Sequence, residues 1–117
     1  MYKSFTEMPV WKNAHELAKE VHQLTINLPR SEDYSLTSQI RRSSSSVPAN
    51  IAEAFGRQTK KDKSNFYIIA RGSGFETQNH LLYGKSVGYF NDEAISVLLN
   101  KYDTLIHEIN KIIRALS

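Results

Sequence analysis

From residue 92 onward, apolar side chains recur at alternating steps of three and four: Ile95, Leu98, Tyr102, Leu105, Ile109, Ile112 and Leu116. That spacing places them on one stripe of an α-helix, and Leu99, Ile106 and Ile113 widen the stripe into a bundle-type face. Asn91 is a suitable N-cap, Asp92 and Glu93 suit the positive pole of the helix dipole, and Arg114 suits the negative one. The start of the chain repeats the pattern with Ala14, Leu17, Val21, Leu24 and Leu28, with Val10, Trp11 and Ala18 beside them. Pro9 falls in the first turn, where its missing N–H costs nothing, and Leu28-Pro29 ends the segment.

The two middle segments are less conventional. Between about Asp33 and Gln58, the residues Leu36, Ile40, Ser43, Val47, Ile51 and Ala54 keep helical spacing through four consecutive serines and past Pro48. Proline removes one backbone hydrogen bond and bends a helix, but it does not reset this apolar phase. A proline-kinked helix is therefore predicted rather than a loop. From about Asp62 to Val87 the inner face reads Phe66, Ala70, Ser73, Thr77, Leu81 and Gly84, helical in period but mostly small. Gly72, Gly74 and Gly84 each cost about 1 kcal/mol relative to alanine in a helix interior, which points to close helix packing. The alternative is a break near Gly72 to Gly74.

Connections around Pro29 to Glu32, Thr59 to Lys61 and Gly88 to Asn91 are short, so sequential helices are expected to be antiparallel neighbours. The predicted fold is all-α: an up-down-up-down antiparallel four-helix bundle with a proline-kinked second helix, one domain spanning residues 1–117. No cysteine is present, which removes disulfides and thiolate metal sites. No apolar run approaches the roughly 18 residues of a membrane span, and MYKSFTEMPVW lacks the apolar core of a signal peptide. A cytoplasmic protein with no membrane partner is the expectation. The net charge of +3 is mildly basic and by itself leaves the partner open.

Enzyme templates fail in turn. His15-Glu16 begins a zinc-protease motif, but position 19 is Lys, so the second histidine ligand is missing. Glu76 and His80 are four apart, where a di-iron bundle needs pairs three apart on inner faces. Ser43 to Ser46 lie in no nucleophile elbow, and the glycines near Gly72 form no phosphate loop. No catalytic, metal or cofactor residue is assigned, and the chain is expected not to be an enzyme. Two sets of residues remain. Gln39, Arg42, Ser46, Asn50, Glu53 and Arg57 form a polar stripe beside the apolar one, either a solvated face or a polar interface reaching the third helix through Glu76, or another subunit. Arg41, Arg42, Arg57, Lys60, Lys61, Lys63 and Arg71 outnumber the acids between residues 40 and 80, so contact with RNA or DNA is a candidate activity.

The same residues carry a resemblance. The stretch LTSQIRRSSSSVPANIAEAFGR is similar to a pattern L-T-x-Q-hydrophobic-R-R-A-A-x-S-hydrophobic-P-x-N-I-A-E-G-x-x-R, and ARGSGFE to A-x-G-S-x-x-E. These patterns, with Trp11 and Leu28-Pro29, resemble the small four-helix proteins encoded by intervening sequences in 23S rRNA genes. They also resemble a related group, the accessory variability protein of diversity-generating retroelements. Gln39, Arg41, Arg42, Ser46, Pro48, Asn50, Ala52, Glu53, Arg57, Ala70, Gly72, Ser73 and Glu76 fit the patterns. Ser43 and Ser44 stand where the pattern has alanines, Ala54 where it has glycine, and Gly74 and Thr77 replace apolar residues. The resemblance implies a homopentameric ring; for the retroelement relatives it implies a basic ring that engages a reverse transcriptase and nucleic acid. Gln39, Ser46, Pro48, Asn50, Glu53, Arg57, Ser73 and Glu76 are accordingly the expected packing or assembly residues. The competing expectation is a module that recruits a protein partner such as a reverse transcriptase, with no nucleic-acid role.

Overall fold

The computed structural model describes all 117 residues. Four helices make up the chain: α1 (Pro9–Thr25), α2 (Leu36–Phe55), α3 (Lys60–Ser86) and α4 (Asp92–Leu116), with short 3-10 turns at Phe5–Glu7 and Arg30–Glu32. Each helix packs on its two neighbours in the cyclic order α1-α2-α3-α4, and the backbones of the diagonal pairs are not adjacent. Cross-helix bonds fix the directions. Arg41 meets Thr25, Ser46 meets Ser73 and Ser43 meets Thr77, Arg71 meets Asn110 and Gln78 meets Asp103, Asn13 meets Glu108 and Glu20 meets Lys101. Rising residue number on one helix meets falling number on the next in the α2–α3, α3–α4 and α1–α4 pairs, which makes α1 and α2 antiparallel as well, so the bundle is up-down-up-down and measures 43 × 24 × 21 Å.

α2 runs through Pro48 as one helix, and its apolar phase survives as expected: Leu36, Ile40, Ser43, Val47, Ile51 and Ala54 are all buried. The serines are tolerated because their hydroxyls bond back to carbonyls three residues earlier, Ser43 to Ile40, Ser44 to Arg41 and Ser45 to Arg42. Ser43 and Ser44 are buried and small, so α2 lies close against its neighbours. The α2–α3 seam is consequently the most closely packed in the bundle, and the α1–α4 seam the loosest.

α3 is unbroken across Gly72 to Gly74, so the alternative of a break there does not hold. Its inner face is Tyr67, Ala70, Gly74, Thr77, Leu81 and Gly84, rather than the set with Phe66 and Ser73. Those two turn toward α2, where Phe66 lies under the Arg57 guanidinium at 4.6 Å and Ser73 bonds Ser46 at 2.9 Å. Two glycines serve close approach. A Cβ on Gly74 would lie 3.3 Å from Ile106 on α4, and one on Gly84 would lie 2.2 Å from the Phe90 ring. α3 ends in a Schellman turn: Gly88 takes φ +88°, Tyr89 N–H donates to the Gly84 carbonyl at 2.8 Å, and Gly88 N–H donates to Lys85 at 3.1 Å. That turn folds Phe90 back onto Gly84 and starts α4, whose N-cap Asn91 accepts from Ala94 N–H.

One hydrophobic core joins all four helices, centred on Val21, Ile40, Val47, Ile51, Leu81, Ile95, Tyr102 and Ile109. Buried polar groups are mostly paired. Thr25 donates to the carbonyls of Val21 and His22 and accepts from Arg41 Nε at 2.9 Å. Thr77 donates to the Ser73 carbonyl and shares a 2.9 Å bond with Ser43. The hydroxyls of Thr37 and Tyr102 have no partner. Burial, and then the charge of Glu20, push the Tyr102 phenol well above its ordinary pKa, and the neighbouring Thr77 hydroxyl acts the other way without cancelling them. Tyr67 is raised by burial as well.

Candidate assembly and nucleic-acid surfaces

The polar stripe of α2 divides by depth. Ser46, Asn50 and Ser73 meet at the α2–α3 seam, where Asn50 Nδ2 donates to the Ser46 carbonyl at 2.8 Å and to its hydroxyl at 2.9 Å. Glu53 and Arg57 pair at 3.1 Å with side chains 49% and 44% exposed, so this is a surface ion pair within the protomer, worth roughly 0.3–0.5 kcal/mol. Glu76 points outward to His80 at 3.3 Å and does not reach α2. Gln39 is exposed and lines a shallow polar recess with Asn79, His80 and Tyr83, and Pro48 is buried on the α1 side near Trp11 and His15.

The seven basic residues do not form one patch. Arg41 is held at the α1–α2 seam by Thr25, and Arg71 at the α3–α4 seam by Asn110 at 2.8 Å. Lys63 Nζ donates to the carbonyls of Ala54 and Phe55, at 3.1 and 3.3 Å, capping the C-terminus of α2. Arg42 is exposed part-way along α2. Arg57, Lys60 and Lys61 remain together and exposed at the α2–α3 turn.

The antiparallel fold adds to that turn what the sequence order hides. The starts of α1 and α3 and the ends of α2 and α4 share one end of the bundle, where Met1, Tyr2, Phe55, Lys63, Ile112 and Leu116 line one recess. Lys3, Lys12, Lys111 and Arg114 therefore join Arg57, Lys60, Lys61 and Lys63 there, against Glu7, Glu53, Asp62 and Glu108. The opposite end carries Glu32, Asp33, Asp92 and Glu93 against Arg30, Arg41, Arg42 and Lys85 and is balanced. The chain's positive excess is thus concentrated at one end.

The outer side of α3 is apolar as well. Ile68, Phe75 and Leu82 recur every seven residues on the exposed face, flanked by Ile69, Tyr83 and Val87, and each of the six is 43–54% exposed. The larger apolar side chains of α3 mostly point out and the small ones in. Gly72 sits in the middle of this stripe, exposed, with nothing within 4 Å of where its Cβ would be. Its helix penalty has no explanation within the protomer. A second apolar feature lies beyond α4, at the loose α1–α4 seam. It is an open groove of about 780 Å³ lined by Glu16, Lys19, Glu20, His22, Gln23 and Leu24 of α1 and by Ala94, Val97 and Leu98 of α4.

The histidines stand apart. His15 stacks on Trp11 with ring centroids 4.7 Å apart, His80 bonds Glu76, and no three His, Asp or Glu side chains gather at ligand spacing. No helix is long and apolar enough to cross a membrane.

Residues 6–111 match the family described as 23S rRNA-intervening sequence protein. Among solved structures, the chain is similar to a crystal structure of a protein of unknown function from the S23 ribosomal protein family of Bacteroides thetaiotaomicron VPI-5482. The two share 25% identity with a TM-score of 0.80, over 89% of this chain and 97% of that one. No curated protein matches significantly.

Proposed function

The chain belongs to the 23S rRNA-intervening sequence protein family, and from that premise we propose that it is a non-enzymatic subunit of a homo-oligomeric, pentameric ring whose basic face engages nucleic acid. The observation that carries the assembly is the exposed apolar face of α3. A protomer that stayed alone would leave Ile68, Phe75 and Leu82 in water along one continuous stripe, the kind of patch that marks a protein contact. Gly72 in its centre supports the same reading, since a residue without a Cβ lets another backbone come near. The test is the mass of the purified protein in solution, with Phe75→Glu as the variant that removes the contact. A single mass equal to the protomer at every micromolar concentration would end this reading.

The nucleic-acid role rests on the basic end of the bundle. With the bundle axes running along the ring axis, cyclic symmetry turns every protomer's basic end to the same face, so a few phosphate contacts per protomer would be repeated and gain avidity. Binding should then be tolerant of sequence and weaken steeply with salt. Lys60 and Lys61 are the residues to change, because both are exposed, whereas Lys63 caps α2 and its loss would confuse binding with folding. An oligomer that binds neither structured RNA nor duplex DNA at low salt would favour instead a ring that recruits a protein, such as the reverse transcriptase implied by the retroelement resemblance.

A further inference from the structure

A closed ring with an odd number of subunits cannot be built from a self-complementary patch; each protomer must offer two different surfaces that fit one another. We infer that the two surfaces are the outer ridge of α3 and the α1–α4 groove, so that Phe75 and Leu82 of one protomer seat between α1 and α4 of the next. This rests on the assembly reading above and goes beyond it by naming the second surface.

Three features of the molecule support the pairing. The first is shape and chemistry. The ridge is convex and apolar; the groove is concave, and Leu24, Ala94, Val97 and Leu98 give it an apolar floor. Val97, 52% exposed, is left open to a partner. The Lys and Glu side chains on the groove's rim are already paired, Lys19 with Glu16 at 3.2 Å and Lys101 with Glu20 at 2.9 Å, so an apolar visitor strands neither a lysine nor a glutamate there.

The second is length. From Phe75 to Leu82 the ridge spans about 10 Å, and the α1 wall from Glu16 to Leu24 spans about 12 Å, both two helical turns.

The third is height along the bundle. Gln78, midway between Phe75 and Leu82, bonds Asp103 of α4 at 2.7 Å, while Glu20, midway along the groove, bonds Lys101 of α4 at 2.9 Å. Asp103 and Lys101 are two residues apart, about 3 Å along the helix axis. Ridge and groove therefore overlap in height, with the floor residues Ala94, Val97 and Leu98 about one turn nearer the start of α4 than the middle of the ridge. A head-to-tail contact between surfaces so nearly level climbs little per subunit, which favours closure over a helical filament. The two surfaces are also not diametrically opposed, because α4 adjoins both α3 and the groove.

A complementation experiment tests this. Phe75→Glu breaks only the ridge and Val97→Glu only the groove; both positions are about half exposed, and glutamate is a good helix former, so helix content by circular dichroism should match the parent. Each variant alone is expected to run as a monomer. Mixed in equal amounts, they should form a dimer and nothing larger, since the intact groove of one accepts the intact ridge of the other and both remaining surfaces are broken. Retention of the parent's size by Val97→Glu, or no complex in the mixture, would overturn the ridge-in-groove pairing while leaving assembly through α3 standing. A monomeric parent would overturn the assembly reading itself.

Discussion

Gly84 and Gly72 lie on the same helix and should respond to alanine in opposite directions. Helix propensity alone favours alanine by about 1 kcal/mol at either site. At Gly72 nothing lies within 4 Å of the added methyl, so the protomer should keep most of that gain. At Gly84 the methyl would meet Phe90 Cε2 at 2.2 Å and Cδ2 at 2.4 Å. Phe90 cannot swing aside cheaply. It is 6% exposed and belongs to the core, and its backbone is tied to α3 through the Schellman turn at Gly84. Overpacking of this kind costs roughly 1–3 kcal/mol, and expelling the ring instead forfeits about 1.5–3 kcal/mol of burial. Set against the propensity gain, Gly84→Ala should be net destabilising, by up to about 2 kcal/mol. Urea denaturation followed by circular dichroism, at one fixed protomer concentration, measures both variants. A Gly84→Ala protein as stable as the parent would refute the packing argument. If Gly72 lies in an interface, its alanine variant should combine a firmer helix with a weaker oligomer, which the same samples show by light scattering.

Lys63→Met should cost about 0.5–1.5 kcal/mol, since it removes the cap on the last carbonyls of α2 while keeping the aliphatic stem; an unchanged urea midpoint would contradict it. Tyr102→Phe should be neutral or stabilising at pH 8, because the hydroxyl it deletes is buried without a partner. Tyr102 also sets a pH dependence. Its folded pKa is raised above the unfolded value near 10, so its contribution is complete below about pH 10 and is lost as pH rises toward the folded value, by at most about 1.4 kcal/mol per unit. The parent should therefore lose more stability than Tyr102→Phe between pH 9 and pH 11, and parallel curves would refute the assignment. Arg57→Ala should lower stability by under about 1 kcal/mol, because its ion pair with Glu53 and its contact with Phe66 are both at the surface; a larger loss would mean that the pair is buried in the assembly.

Most of the bundle was legible because its signals are local. The stripes on α1, α2 and α4 have one apolar face each, and the phase across the serines and Pro48 carried α2 correctly through an unfavourable stretch. α3 is less legible, since it is apolar on two sides and the helical period alone does not say which side faces in. Gly74 and Gly84 do pack against Ile106 and Phe90, but Gly72 faces out. The heptad Ile68, Phe75, Leu82 was visible in the sequence, offset by one position from Tyr67, Gly74 and Leu81. Which of the two stripes faced inward depended on the partner helices, and no local pattern states that. The basic cluster shows the same limit. Residues adjacent in sequence, such as Lys61 and Lys63, differ in availability, while Lys3, Lys111 and Arg114 join the cluster only through the topology.

The native mass of the purified protein, measured by light scattering from low to high micromolar concentration, decides whether the ring exists. A pentamer gives a stable species at five times the 13.4 kDa protomer mass, reduced to the protomer by Phe75→Glu without loss of helix content. A parent that remains at 13.4 kDa throughout that range would contradict it.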